Sequence, residues 1–304
     1  MIKYAYMKGD MQMNTRDLAY FAALTRLKSY TAVAHEFHVS QPTITYAVRR
    51  LEAELDVQLI QRDQSHRQLE LTAAGAQFAV HCQRIITELQ IVQREIAALK
   101  TPQIKMGLPP IIGNYFFPHL APKLVAENLL SRLQLDESGS ARLLKSLEAG
   151  ALDLAMLGSL EPLTAPDLDA ALLATHHYRI LVSHDHPLAK KKEVAFKELQ
   201  DEPFLLLNEG FMHPQAFQTL CNLNHIQPHI MLQTSDIDLI KQLVSQNAGI
   251  SFLTETALTP HDDLVALPLS DPEQPLFLIS IAKRHDHLLT PEQKKLAALF
   301  KDSF

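Results

Sequence analysis

The chain has 304 residues, 47% hydrophobic and 20% charged, with a formal net charge of −6. That is an ordinary globular mixture, long enough for two or three domains, and it excludes a disordered or fibrous chain. No run approaches the roughly 20 apolar residues that cross a bilayer, and the opening MIKYAYMKGD lacks the apolar core of a secretory signal, so a cytoplasmic protein is expected. Cys82 and Cys221 lie far apart and outside any CxxC pattern, which gives neither a disulfide framework nor a zinc site. Charge is uneven: residues 1–100 hold 12 Lys and Arg against 10 Asp and Glu, and residues 101–304 hold 16 against 24. An excess of two is too small to argue for nucleic acid by itself, so that argument rests on where the arginines sit.

Residues 1–12 precede the first patterned element and read as an extension. Asn14 can cap a helix whose Leu18, Phe21, Ala22 and Leu24 face inward, with Asp17 in the first turn near the positive helix end. Ser29 or Thr31 can cap a second helix carrying Val33, Ala34 and Phe37, and only His38 and Val39 separate it from Ser40. Ser40 stands where a cap for a third helix belongs, and Pro42 is tolerated in a first turn. Along SQPTITYAVRRLE, Ile44, Ala47, Val48 and Leu51 share one face. The opposite face carries Gln41, Thr43, Thr45, Tyr46, Arg49 and Arg50, with no carboxylate before Glu52. Two short helices joined by a tight turn make a helix-turn-helix, and such a face suits a major groove. Ser40, Gln41, Pro42, Thr43, Thr45 and Tyr46 are placed to approach base edges or phosphates, and Arg49 and Arg50 the backbone. The run LDVQLIQRDQSHRQLELT reads as a β-hairpin wing whose Arg62, His66 and Arg67 reach flanking phosphates. The competing reading is a helical bundle with solvated outer faces.

The run from Met13 to Gly75, with its SQP, LE and LTAAG segments, resembles the amino-terminal winged helix-turn-helix of LysR-type transcriptional regulators. Asp56 stands where that family usually has Gly, Ile60 where it has Phe, and Val33 where it has Ala. Asp tolerates the left-handed backbone that Gly would supply, and the other two exchanges are apolar. The resemblance implies double-stranded promoter DNA and RNA polymerase as partners, and no catalysis.

From Phe78 the apolar positions Phe78, Cys82, Ile85, Leu89, Val92, Ile96 and Leu99 alternate spacings of four and three. This heptad seam, over residues 72–101, wants a partner helix, and a homodimer or homotetramer is expected. Pro102 ends it. Cys82 falls on the seam and reads as a small core residue.

Residues 102–304 alternate strands and helices, an α/β pattern giving a mostly parallel sheet with helices on both faces. The family resemblance implies two periplasmic-binding-protein-like subdomains, the first about 103–174 with 272–304 and the second about 175–271. Ligands of such sheets sit at strand carboxyl ends beside helix amino termini. Here those ends hold Pro110, Ile111, Ile112, Ser138, Gly139, Ser140, Asn208, Glu209 and Thr234, and a small organic acid is the natural effector. The HDH triplets at His184–His186 and His285–His287 continue into no four-ligand pattern and read as surface loops. No GxSxG, P-loop, GxGxxG or HExxH is present, and no cofactor or metal is expected. The alternative function is a solute sensor without regulatory DNA contact.

Overall fold

The computed structural model describes residues 13–62, 69–100, 103–259 and 261–303. These divide into two compact units between Ile96 and Ala97.

The first unit begins with α1 (Thr15–Leu27), α2 (Tyr30–Glu36) and α3 (Gln41–Leu55). Asn14 Oδ1 accepts the Arg16 N–H at 2.9 Å, and Ser29 Oγ accepts that of Ala32 at 3.2 Å, so both helices start on side-chain caps. Asp56 closes α3 in the left-handed region at φ 50°. Phe21, Leu24, Val33, Ile44, Ala47 and Leu59 have no exposed surface and form the core. The wing pairs β1 (Ile60–Arg62) antiparallel with β2 (Leu69–Leu71), Ile60 opposite Leu71. Its tip, with His66 and Arg67, lies outside the described residues.

The helix α4 (Ala73–Ala98) follows at once. Thr72 ties it to the wing: its hydroxyl donates to the Gln58 carbonyl at 2.7 Å and accepts the Gly75 N–H at 3.0 Å. A Cβ on Gly75 would stand 1.9 Å from the Leu59 carbonyl oxygen, so the backbones meet only because that residue is glycine. The LTAAG segment is therefore a packing motif.

The second unit contains β3 (Ile104–Gly107), α5 (Pro110–Ala126), β4 (Leu133–Asp136), α6 (Ser140–Glu148), β5 (Leu154–Ser159) and β6 (Leu168–Val182). After these come β7 (Pro203–Leu207), α7 (His213–Asn224), β8 (His229–Thr234), α8 (Ile237–Ser245), β9 (Ile250–Thr254), β10 (Val265–Pro268), β11 (Leu276–Arg284) and α9 (Pro291–Lys301). One sheet runs β4-β3-β5-β11-β6-β9-β7-β8, with β10 also on β6. Its two ends are parallel, as the alternating pattern predicts, but β11 and β6 in the middle pair antiparallel. Strand β6 changes partner along its length: residues to His177 pair with β11, and those from Tyr178 with β9. It thus passes from one lobe to the other, and the chain returns between β10 and β11. β10 has four residues with only Leu267 buried, too short a pattern to read in advance.

The surface-loop reading of the HDH triplets holds for His184 and His285 and fails for the other two. His287 is 9% exposed, and the His186 ring accepts the Leu188 N–H at 3.2 Å and lies 3.4 Å from Glu202. The His186 ring caps its own turn and the His287 ring lies 3.7 Å from Asp153, placements that three residues of sequence do not reveal. His285 and Lys283 each lie 2.7 Å from Asp169, an arrangement that raises the histidine pKa and lowers that of the carboxyl. Among the described residues no cluster of His, Cys, Asp and Glu is grouped to hold a metal.

Candidate nucleic-acid interface and ligand cleft

The two faces of α3 separate as its period requires. Ile44, Ala47, Val48 and Leu51 are buried, while Gln41, Pro42, Tyr46, Arg49 and Arg50 are exposed, Tyr46 by 59%. Gln41 Nε2 donates to Thr45 Oγ1 at 2.9 Å, which lines those two polar groups along one edge. Ser40 does not cap through its side chain. Its hydroxyl meets the Thr43 hydroxyl at 2.9 Å instead, while the Thr43 N–H donates to the Ser40 carbonyl at 3.0 Å. Arg49 lines a groove of about 340 Å³ with Tyr30, Thr45, Gln58 and Gln61.

Arg50 behaves differently. Its Nε and Nη2 donate to Asp17 Oδ2 and Oδ1 at 2.8 and 2.7 Å, a two-point bond across to the start of α1. Asp17 is 4% exposed and Arg50 57%, and the carboxylate raises the guanidinium pKa further. Two residues on, Glu52 Oε1 accepts the Leu59 and Ile60 N–H groups at 2.9 and 3.3 Å, fixing the wing to the helix. Arg62 contributes its backbone to β1 opposite Leu69. The structure therefore lines Gln41, Thr45 and Arg49 along one helix edge, with Tyr46 and Thr43 farther round the same outer face. His66 and Arg67 lie outside the described residues.

The heptad seam of α4 splits in two. Cys82 has no exposed surface and Phe78 packs on Phe21 with ring centroids 5.2 Å apart, so both belong to the unit's own core. Burial pushes the Cys82 thiol up to about 11. Ile85, Leu89, Val92 and Ile96 continue the spacing and are 40 to 56% exposed, an apolar stripe along the helix.

In the second unit the strand-end loops of the two lobes meet. Gly139, ahead of α6, and Gly210, after β7, approach so closely that a Cβ on Gly139 would lie 1.9 Å from the Gly210 carbonyl oxygen. Gly210 itself has φ +129°, a conformation suited to glycine. Around this contact the expected ligand residues divide. Ser140 Oγ accepts the Gly158 N–H at 2.8 Å, Ser138 Oγ donates to Asp136 at 2.9 Å, and the Asn208 N–H donates to the Thr234 carbonyl at 3.0 Å. Glu209 is exposed. Ile111 and Ile112 turn their side chains into the lobe core, so beside Pro110 that turn presents backbone only.

Two residues that the sequence reading passed over stand where the lobes join. The His213 ring accepts the Thr254 N–H through Nε2 at 3.3 Å, which places its hydrogen on Nδ1. That atom and the Tyr178 hydroxyl are both buried without a hydrogen-bond partner. The rings lie 5.4 Å apart, and Phe277 lies 5.7 Å from His213 and 6.2 Å from Tyr178. Burial depresses the His213 pKa to about 3 and raises that of Tyr178. A histidine at a helix start directly before Pro214, just after a glycine turn, was the available signal.

Against known proteins, residues 15–76 match the family described as bacterial regulatory helix-turn-helix protein, lysR family, and residues 97–304 match the LysR substrate binding domain. The chain is 35% identical over 292 residues to the malolactic fermentation system transcriptional activator of Lactococcus lactis, covering 96% of this chain and 99% of that protein. It is 26% identical over 300 residues to the hydrogen peroxide-inducible genes activator of Haemophilus influenzae, covering 95% and 97%. The crystal structure of HinK, a LysR family transcriptional regulator from Pseudomonas aeruginosa, superposes with a TM-score of 0.56 at 22% identity, covering 95% of this chain and 97% of that one.

Proposed function

The chain belongs to the LysR family of bacterial regulatory helix-turn-helix proteins, a transcriptional regulator with an effector-binding domain and not an enzyme, and we propose that its effector is a small carboxylate, L-malate first among those to test. Operator contacts come from the exposed edge of α3, with Gln41, Thr45 and Tyr46 toward base edges and Arg49 toward phosphate. The single observation that supports this reading is a helix face on which Gln41, Thr43, Thr45, Tyr46, Arg49 and Arg50 are exposed or half-exposed hydrogen-bonding residues with no carboxylate among them, standing proud of a buried opposite face.

The effector reading rests on the Gly139–Gly210 contact between strand-end loops and on the buried His213 and Tyr178 donors nearby. A carboxylate oxygen supplies the acceptor that His213 Nδ1–H needs. L-malate is singled out because the Lactococcus relative carries malolactic fermentation in its name and the run TAVAHEFHVSQPTITYAVRRLE resembles regulators of that process. Peroxide sensing fits this chain less well, since both cysteines are buried and burial pushes each thiol up to about 11, away from the reactive thiolate. The stripe on α4 fits self-association as a homodimer or tetramer, and RNA polymerase is the partner that a promoter-bound regulator engages. A cytoplasmic location follows from the DNA target, and no described helix is long and apolar enough to cross a membrane.

The test is a thermal-shift series of the full chain with L-malate, L-lactate and other small acids, alongside footprinting on the duplex upstream of its own gene. A rise in melting temperature with one acid and a protected stretch of duplex are expected. Silence across the acids removes the carboxylate reading, and absence of protection removes the promoter reading.

A further inference from the structure

We propose that Asp17 is a positioning residue for DNA binding, holding Arg50 so that the rest of its guanidinium faces a backbone phosphate. This rests on the DNA-binding reading of α3 and adds to it a residue from a different helix, 33 positions earlier in the chain.

The geometry is asymmetric. The Asp17 carboxylate is 4% exposed and takes Nε and Nη2 of Arg50 at 2.8 and 2.7 Å, whereas the arginine side chain keeps 57% of its surface. A guanidinium has five N–H donors in a planar fork, so two bonds to Asp17 fix its plane and leave three donors over. The arginine sits in the third turn of α3, on the side facing the start of α1. Arg49, its neighbour, lines an open groove instead. A long side chain loses rotamer freedom on binding; one already pinned by a buried carboxylate loses less. Asp17 carries a negative charge within a DNA-binding unit, and by charge alone its removal would strengthen binding. The tether predicts the opposite sign.

The experiment measures affinity of the full chain for the duplex upstream of its own gene, over a salt series, for the wild type, Asp17→Asn and the double variant D17N/R50Q. Neutralised phosphate contacts appear in the slope of log affinity on log salt, about 0.9 per phosphate, whereas a purely structural residue leaves the slope alone. Asp17→Asn is expected to bind about three- to tenfold more weakly with little change in slope, because the arginine charge is still present but no longer held. D17N/R50Q, which keeps a neutral hydrogen-bonding pair, is expected to lose about one contact from the slope. Equal or tighter binding by Asp17→Asn overturns the proposal, as does an unchanged slope in D17N/R50Q; the latter also decides the matter should the single variant fail to fold. Wild-type protein that shows no salt-dependent binding sinks the DNA reading itself, a different outcome.

Discussion

Gly139 and Gly210, on the facing strand-end loops of the two lobes, are in backbone contact: an added Cβ on the first would stand 1.9 Å from the carbonyl oxygen of the second. Glycine is what lets the lobes come this close. Gly139→Ala is expected to hold the loops apart, lowering stability by about 1–3 kcal/mol, as overpacking does, and blunting the melting-temperature response to an effector. Thermal unfolding with and without ligand checks both. An alanine variant that melts and responds like the wild type refutes the contact.

Glu52 joins α3 to the wing through two backbone N–H groups. Glu52→Ala leaves both without their acceptor, at a cost of about 1–3 kcal/mol. The wing should loosen before the helices do. Hydrogen exchange at Leu59 and Ile60 would rise first, and DNA affinity would fall with it.

The apolar stripe on α4 predicts a self-association surface. Leu89→Glu puts a charge at its centre, where a facing helix would have to bury it. Sedimentation at micromolar concentration should then report the mass of one chain where the wild type reports two or four. A wild type that already sediments as a single chain removes the prediction's premise.

Burial depresses the His213 pKa from 6.5 to about 3, so the folded protein keeps this ring neutral where an unfolded chain would protonate it. Its neutral burial costs nothing above the unfolded value and becomes a liability as pH falls below 6.5 toward 3. Near pH ~4.5 the loss amounts to roughly 2–3 kcal/mol. The unfolding free energy from urea titration should therefore fall between neutral and acid pH by that much more in the wild type than in His213→Phe.

Cys82 is expected to resist alkylation in the native state, since its thiol is fully buried and its pKa is about 11. Labelling with iodoacetamide near neutral pH should proceed only after denaturation. Rapid native labelling would place Cys82 on a surface.

The helix-turn-helix was legible because its determinants are local. Asn14 and Ser29 cap the helices they precede, the three- and four-residue recurrence of Ile44, Ala47, Val48 and Leu51 predicts the buried face, and Asp56 takes the left-handed turn that its short polar side chain allows. What stayed hidden depends on partners distant in sequence. Asp17 reads locally as a helix-end charge, and its arginine lies 33 residues away. Ser40 is a nearer exception: it reads as a cap, but its hydroxyl turns to that of Thr43. Alternating strands and helices predict the parallel ends of the sheet, but no local pattern predicts that β11 inserts antiparallel between β5 and β6. Beside the Gly139–Gly210 contact, Ser138 and Ser140 were legible as strand-end hydroxyls, whereas their partners Asp136 and Gly158 were not.

The place of β11 also sets an order of events during synthesis. Everything needed for the helix-turn-helix and wing leaves the ribosome ahead of the second unit, so those elements can close early. The first lobe cannot: β5 and the leading half of β6 wait for β11, which follows all the strands of the second lobe in the chain. Until then two apolar strand edges lie open, and a nascent chain stalled before Leu276 would offer them to whatever chaperone or neighbouring chain arrives first.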